Sequence, residues 1–298
     1  MKIIGILLAL WVSIISFAHG SEYWSIEPLG NYEIKLDIPE FGGLSALKVY
    51  KLGNTFVTIS DKGKYFEGNI FRDTDGTIKD IQIFKSGSIL NSSGNNLSGR
   101  NTDSESLTMT KDNGFYISFE SNHRIMFHES LRAAGKFLPK NDDFKKFKAN
   151  KGIEAIATNS ADEIFAIPEE PPGGDIDFPI YKLDGEEWSV FSRFPASESF
   201  LVTDAVFLPD DNLLILERDY DWRVGFKMQL RILTLKNNKM TSQTRLLRTN
   251  TGIHNHEGLS LWRNHTEDLF ISSISDNNFL PFISSEIKEF RLRNALIK

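Results

Sequence analysis

Carboxylate side chains open or close a series of short apolar runs in this chain. The clearest example is 255–278, where Glu257 opens one apolar run, a polar turn follows at 263–268, and Asp276 closes a second apolar run. Two short apolar runs joined by turn-forming residues predict a β-hairpin, whose open ends lie side by side. We therefore expect Glu257 and Asp276 to be neighbours, and a close pair of carboxylates can exchange protons or bind a hard cation.

The same unit recurs along the chain at intervals of about 50 residues, a period typical of β-propeller blades. Its copies align at Gly42, Glu105, Glu154, Asp204 and Glu257. Each copy offers four strand-like runs, except the last, which lacks one. The sequence thus predicts an all-β propeller of five blades, with a sixth blade as an alternative in the long first unit or at 137–150. A strand-like run at 32–38 would supply the missing strand and close the ring.

Equivalent positions on the innermost strands of a propeller surround its central channel. Four predicted members of this ring are acidic: Glu105, Glu154, Asp204 and Glu257. Five more acids are expected at the ends of the adjacent strands on the same face: Asp61, Glu120, either Glu169 or Glu170, Glu217 and Asp276. Because like charges within about 4–6 Å raise one another's pKa, so many converging carboxylates must be neutralised.

Three explanations of this acidic face stay open. A Ca²⁺ ion takes 6–8 oxygen ligands and suits a site rich in Asp, Asn and Ser. Alternatively, nearby basic side chains pair with the acids, or each acid only caps a strand end. The basic candidates are Lys62, His123, Arg124, Arg218, His254 and His256. His254 and His256 lie on one face of a strand and could also ligate zinc or iron, but no third ligand is evident.

Residues 1–20 have the features of a secretory signal peptide. Lys2 precedes an apolar run from Ile3 to Phe17, and Ala18-His19-Gly20 forms a small-x-small cleavage site. The run is short of the about 20 residues that span a bilayer, although an uncleaved anchor is the alternative. We therefore predict a periplasmic or secreted protein whose residues 21–298 form a single domain.

Composition limits the classes of partner. The 298-residue chain contains no cysteine and has a formal net charge of −6. An acidic surface does not attract nucleic acid or anionic lipid, so we expect neither nucleic-acid binding nor membrane binding after the signal is cleaved. No Gly-x-Ser-x-Gly pattern surrounds the serines of the repeat, which argues against a serine hydrolase.

Several motifs at the blade positions resemble the phytase-like family of exported bacterial proteins, described as "esterase-like activity of phytase". They include Gly42-Gly43-Leu44-Ser45, Ser60-Asp61-Lys62-Gly63, Asp103-Ser104-Glu105-Ser106-Leu107, Asn150-Lys151-Gly152-Ile153-Glu154, Leu216-Glu217-Arg218 and Asn255-His256-Glu257-Gly258-Leu259. The resemblance spans about 41–293 and implies a β-propeller that hydrolyses phosphate or other esters. The chain departs from the family pattern at Lys62, where Arg is favoured, and at Ser106, where Gly is favoured.

These observations predict a calcium-assisted hydrolase of a small anionic ester. The expected metal ligands are Asp61, Glu105, Glu154, Asp204 and Glu257. The expected catalytic residues are Glu257, Asp276 and His256, and the expected substrate-binding residues are Lys62, Arg124 and Arg218. The alternative is a non-catalytic propeller that binds a ligand or a partner protein, with the acids serving the structure.

Overall fold

The fold is a ring of antiparallel sheets. The computed structural model of the chain describes residues 24–237, 239–280 and 282–295. Twenty strands in these residues form five sheets of four strands each. The predicted five-bladed, all-β propeller is confirmed, and no sixth blade is present in the described residues. The predicted signal peptide, residues 1–20, lies outside them. None of the described residues forms a helix long and apolar enough to cross a membrane.

The strands, in chain order, are β1 (Trp24–Glu33), β2 (Leu44–Tyr50), β3 (Thr55–Ser60), β4 (Lys64–Arg72), β5 (Ile78–Ser88), β6 (Ser104–Met109), β7 (Phe115–Phe119), β8 (Arg124–His128), β9 (Lys136–Phe137), β10 (Ile153–Thr158), β11 (Ile164–Pro168), β12 (Asp177–Asp184), β13 (Glu187–Pro195), β14 (Leu201–Phe207), β15 (Leu213–Asp221), β16 (Gly225–Lys236), β17 (Lys239–Gly252), β18 (Asn255–Arg263), β19 (Leu269–Asp276) and β20 (Glu286–Asn294). Short 3-10 turns occur at Gly99–Asn101, Asp142–Lys146 and Pro172–Gly174.

Each blade is a four-stranded meander that runs outward from the axis. The first four blades are β2–β5, β6–β9, β10–β13 and β14–β17, and the fifth is β18, β19, β20 and β1. β1 pairs antiparallel with β20, so both ends of the chain meet in one blade, as predicted. The closing strand is Trp24–Glu33 and not the predicted 32–38. Its alternating exposed residues suit an outer strand, whereas Leu36 and Ile38 pack into the core between the fifth and first blades.

Apolar side chains join each blade to the next. The second strands β3 and β19 are buried along their whole length, while the outer strands β5 and β17 alternate between half-buried and exposed residues. The buried apolar residues divide into five clusters, one at each junction between neighbouring blades. Since no blade buries its faces alone, the ring folds as one unit, which fixes the top of every inner strand around the axis.

A buried ion pair fastens the junction between the first and last blades. The guanidinium of Arg72 on β4 makes two bonds to the carboxylate of Glu289 on β20, with Nη2 to Oε1 at 2.9 Å. Its Nε also donates to the Gly53 carbonyl, and its plane lies 4.4 Å from the Trp262 ring. Both charges are almost fully enclosed, with side-chain exposures of 11% and 3%.

Arg72→Met should lower the free energy of unfolding by about 3–5 kcal/mol, because it leaves the Glu289 carboxylate buried and unpaired. Chemical denaturation measures this change. The double variant Arg72→Met/Glu289→Gln should recover most of the loss. Arg293→Ala is the matched control, since the Arg293–Glu27 pair of the fifth blade is exposed to solvent and contributes little to stability. Equal effects of the two single variants would contradict this role.

Candidate functional site: an acidic funnel at the propeller axis

A register irregularity near the start of every inner strand sets the first ring of side chains. The ladder between first and second strands slips between Leu44 and Ala46 in the first blade, and at the equivalent point in each other blade. Such a bulge bends the strand and re-aims a side chain. The ladder passes over Ser45, Glu154, Thr203 and Glu257 in four blades, and over Glu105 and Ser106 in the second blade. Glu105 follows the paired residue Ser104 as Glu154 follows Ile153, so the first ring is Ser45, Glu105, Glu154, Thr203 and Glu257.

The predicted alignment was therefore wrong in two blades. Thr203, and not Asp204, stands in the ring position of the fourth blade, and Ser45 stands there in the first blade instead of Gly42. Asp204 follows its bulge and is equivalent to Ala155 and Gly258 in the neighbouring blades. The spacing of the acids can be read from the sequence. The position of each bulge depends on the hydrogen-bond register of the strands, which the sequence spacing does not show.

A second ring is formed where the second strand of each blade ends. The backbone N–H of Asp61 donates to Gly43 O, that of Glu120 to Asp103 O and that of Glu169 to Gly152 O, at 2.9, 2.9 and 3.0 Å. Strand pairs Leu201–Arg218 and Asn255–Asp276 are equivalent. The second ring is thus Asp61, Glu120, Glu169, Arg218 and Asp276. We call the space lined by the first and second rings the funnel.

Arg218 is the one cation of this second ring and occupies the place predicted for Glu217. Arg218 Nη1 donates to Glu257 Oε1 at 2.7 Å, and Nη2 donates to Glu169 Oε1 at 3.0 Å. Burial disfavours its charge, but the carboxylates of Glu257, Glu154 and Glu169 outweigh burial and raise the pKa of Arg218. One guanidinium thus links the third, fourth and fifth blades.

Glu217 itself is fully buried within its own blade. Its carboxylate accepts hydrogen bonds from Arg231 Nε at 2.7 Å and from Gln229 Nε2 at 2.9 Å. Adjacent residues of a strand point to opposite faces, so the acid turns into the sheet and Arg218 turns toward the funnel. Because Arg218 and not Glu217 faces the funnel, the second ring contains one positive charge instead of being entirely acidic.

The second blade carries a close cluster of three acids that form no salt bridge in the described residues. Carboxylate oxygens of Asp103, Glu105 and Glu120 all lie within 4.8 Å of one another. Burial and the charges of Glu154, Glu257, Asp103 and Glu120 raise the pKa of Glu105 well above its usual value. Burial and Asp103 raise the pKa of Glu120 to about 7. Three convergent oxygen ligands of this kind fit a hard divalent cation.

Of the five predicted metal ligands, only Glu105 belongs to this cluster. Asp61, Glu154 and Glu257 border it. Burial is the largest cause of the raised pKa of Asp61, and the charge of Asp103 also raises it. No histidine belongs to the cluster, which is the one close group of three acidic or histidine ligands in the described residues. Asp103 was missed as a ligand. Its position two residues before Glu105 could have revealed it, because residues i and i+2 of an extended chain face the same way.

Asp204 lies below the funnel and closes the channel. Its Oδ1 accepts a hydrogen bond from Ser106 Oγ of the second blade at 3.0 Å, and its Oδ2 accepts one from the Leu259 N–H of the fifth blade at 2.7 Å. A side chain of the fourth blade that reaches the second blade must cross the axis. Burial raises the pKa of Asp204 well above its usual value despite these bonds. Its oxygens are thus engaged by protein donors, and Ser106, where the family pattern favours Gly, supplies one of them.

The predicted catalytic residues divide between the funnel and the blade interior. Asp276 lies in the second ring, where burial and then the charge of Glu257 raise its pKa to about 7. Glu257 lies in the first ring. The His256 side chain is fully buried, with Nδ1 2.6 Å from Ser273 Oγ and Nε2 3.3 Å from Glu286 Oε1. These partners belong to the fifth blade, so the catalytic role of His256 stays a prediction that no funnel contact supports.

The predicted substrate-binding residues surround the funnel. Lys62 is exposed and its Nζ lies 3.6 Å from Asp61. Arg124 is buried, its Nη2 donates to the Asn101 carbonyl at 2.6 Å, and its Nη1 has no hydrogen-bond partner within the described part of the chain. Burial lowers the pKa of Arg124 to about 10, against the attraction of Asp103. The third predicted residue, Arg218, already bonds two carboxylates.

A comparison with family models identifies the family but not a specific activity. A family model described as "Phytase-like: Esterase-like activity of phytase" matches residues 39–279. No curated protein sequence matches the chain. Similar solved structures include the PQQ-bound form of an aldose sugar dehydrogenase from Streptomyces coelicolor, which is 10% identical with a TM-score of 0.49 and coverage of 91% of this chain and 98% of that chain.

Two further structures are similar at the same low level. A putative gluconolactonase is 11% identical with a TM-score of 0.47, covering 84% of this chain and 75% of that chain. Virginiamycin B lyase from Staphylococcus aureus is 10% identical with a TM-score of 0.42, covering 91% and 99%. These likenesses carry no argument about substrate or cofactor.

Glu154→Gln should raise the melting temperature of the metal-free protein at pH 8 and have little effect near pH 4. Burial and the charge of Glu169 raise the pKa of Glu154 well above its usual value. A raised carboxyl pKa gives stability that is present at low pH and is lost as pH rises through the folded-state value. Removing this charge should therefore stabilise the folded state at pH 8.

Glu163→Gln is the matched control in the same blade. The hydrogen bond from Lys182 lowers the pKa of Glu163, so this variant should lose roughly 0.2–1 kcal/mol at pH 8. Thermal melts in chelator across pH 4–8 measure both changes. Destabilisation of both variants at pH 8 would show that Glu154 is not repelled by its neighbours.

Proposed function

This chain belongs to the phytase-like family, and we propose that it hydrolyses phosphate esters, or other esters, at the acidic funnel with the help of a bound Ca²⁺ ion. The observation that carries the proposal is the close group of Asp103, Glu105 and Glu120. None of these three carboxylates forms a salt bridge in the described residues, whereas Arg218 bonds both Glu169 and Glu257. Repulsion within this group favours a divalent cation over an empty site.

The cation would be held by Asp103, Glu105 and Glu120. When bound, it would polarise an ester oxygen and orient water. The buried Arg124 supports the same location for the anion, because its Nη1 is unpartnered among the described residues and the charge of Asp103 acts on its guanidinium. A guanidinium with a free N–H group is a suitable donor to a phosphate oxygen.

Asp276 is the proposed acid–base group. Its pKa of about 7 leaves comparable populations of acid and carboxylate at neutral pH, which is where a proton-transfer group is most effective. As carboxylate it would take a proton from water as the water oxygen bonds to phosphorus. The bond from phosphorus to the alcohol oxygen then breaks, that oxygen takes a proton from solvent, and Asp276 returns its proton to solvent. One water is consumed, and one alcohol and one inorganic phosphate are released.

Glu257 would position this reaction. Its Oε1 accepts hydrogen bonds from Arg218 Nη1 at 2.7 Å and from Asn255 Nδ2 at 2.6 Å, so its orientation is fixed. Its charge is the second cause, after burial, of the raised pKa of Asp276. We extend the proposal to an exported, periplasmic or secreted protein, on the strength of the signal-like residues 1–20.

Chelation should abolish ester hydrolysis by the purified protein, and Ca²⁺ should restore it. Release of inorganic phosphate from a panel of phosphomonoesters measures this, with a parallel panel of carboxylic esters.

Asp276→Asn should lower kcat about 10²–10⁴-fold, the usual contribution of a positioned proton-transfer group. Glu257→Gln should lower kcat and shift the pH profile toward lower pH, because Asp276 loses a repelling neighbour.

Glu163→Gln serves as the control and should keep full activity. Unchanged turnover after chelation, or in the Asp276→Asn protein, would reject the assigned roles. The alternative of a non-catalytic propeller that binds a ligand or a protein partner predicts no turnover on either ester panel and a melting temperature that does not respond to chelator.

A further inference from the structure

Exposed apolar side chains stand beside the funnel on the hairpin between β15 and β16. Tyr220, Trp222 and Val224 are 62%, 77% and 44% exposed, and Ile253, in the link from β17 to β18, is 57% exposed. The first strand of each meander begins at the funnel. The link between the second and third strands, and the link from one blade to the next, therefore return to the funnel end. Clustered large apolar groups on a surface mark a binding site more often than scattered ones.

The hairpin continues directly from the funnel wall. Arg218 and Tyr220 are two residues apart on β15 and so face the same way, and Arg218 bonds the ring residue Glu257. At about 3.3 Å per residue, Tyr220 lies about 7 Å further along the strand. Its ring lies 5.0 Å from that of its cross-strand partner Phe226. Phe226 in turn pairs with Gly252, the residue before Ile253.

The hairpin is held in place. Its ladder extends to the pair Asp221–Gly225, and Lys227 Nζ donates to Asp219 Oδ2 at 2.9 Å. Gly225 has a φ of +83°, and a Cβ there would meet the Gly252 carbonyl oxygen at 2.1 Å, so the hairpin packs backbone to backbone against the end of β17. The apolar side chains are therefore presented to solvent by an ordered support.

We propose that Tyr220, Trp222, Val224 and Ile253, the apolar wall, bind the alcohol part of the substrate. The substrates would then be phosphate esters of long-chain or aromatic alcohols, with the phosphate in the funnel and the apolar part on the wall. This assignment rests on the proposed hydrolysis of phosphate esters. Burial of apolar surface against the wall stabilises such a complex, whereas the ester of a polyhydroxylated alcohol would leave the wall in water.

A series of n-alkyl phosphates from methyl to octyl tests the assignment through phosphate release by the calcium-loaded protein. The kcat/KM of the wild type should rise by up to about fourfold per methylene that reaches the wall. Trp222→Ser should lower kcat/KM for octyl phosphate about tenfold and leave methyl phosphate within about twofold, because only the longer chain contacts the wall. Trp222→Phe should keep the preference.

Phe71→Ser is the matched control, since Phe71 is 43% exposed at the opposite end of its blade. Phe71→Ser should change kcat/KM for neither methyl phosphate nor octyl phosphate. Equal kcat/KM values across the series in the wild type, or equal losses for methyl and octyl phosphate in Trp222→Ser, would overturn the assignment.

Calorimetric titration with non-hydrolysable alkyl phosphonates separates this inference from the proposed hydrolysis. Tighter binding of octylphosphonate than of methylphosphonate, lost in Trp222→Ser, would support the wall even if no ester is turned over, and only the hydrolysis proposal would then fail. Equal affinity of the two phosphonates would reject the wall whether or not turnover is observed.

Discussion

The mutual repulsion of carboxylates gathered at the propeller axis determines the properties of the funnel. Five inner strands place Glu105, Glu154 and Glu257 around one funnel, where burial raises the pKa of each. The chain offsets this on one side only, with the guanidinium of Arg218 between Glu169 and Glu257. Asp103, Glu105 and Glu120 form no such ion pair in the described residues, and they are the group at which we propose that a cation binds.

The scaffold can hold such a funnel because its stability comes from elsewhere. Each junction between blades has its own apolar cluster, and the first and last blades are joined by the Arg72–Glu289 pair. Below the funnel, Asp204 crosses the axis to Ser106 and ties non-neighbouring blades together. The ring of blades therefore holds the funnel carboxylates in place despite their repulsion, and this repulsion favours the proposed binding of a cation.

The fold could be predicted from the sequence because a period near 50 residues and runs of strand-forming residues are properties of the chain alone. The funnel could be predicted only in part. Glu105, Glu154 and Glu257 follow from the repeat, but the exchange of Asp204 for Thr203 depends on where the ladder slips, and the exchange of Glu217 for Arg218 depends on which face a strand residue takes. A one-residue error reverses that face, and no local pattern corrects it.

An anomalous difference map from a crystal grown with Mn²⁺ in place of Ca²⁺ would locate the bound cation. We expect one strong peak within coordination distance of Asp103, Glu105 and Glu120, and its loss in a crystal of the Glu105→Gln protein. A peak at another place on the surface, or no peak at the axis, would contradict the claim that this funnel is built to hold a cation.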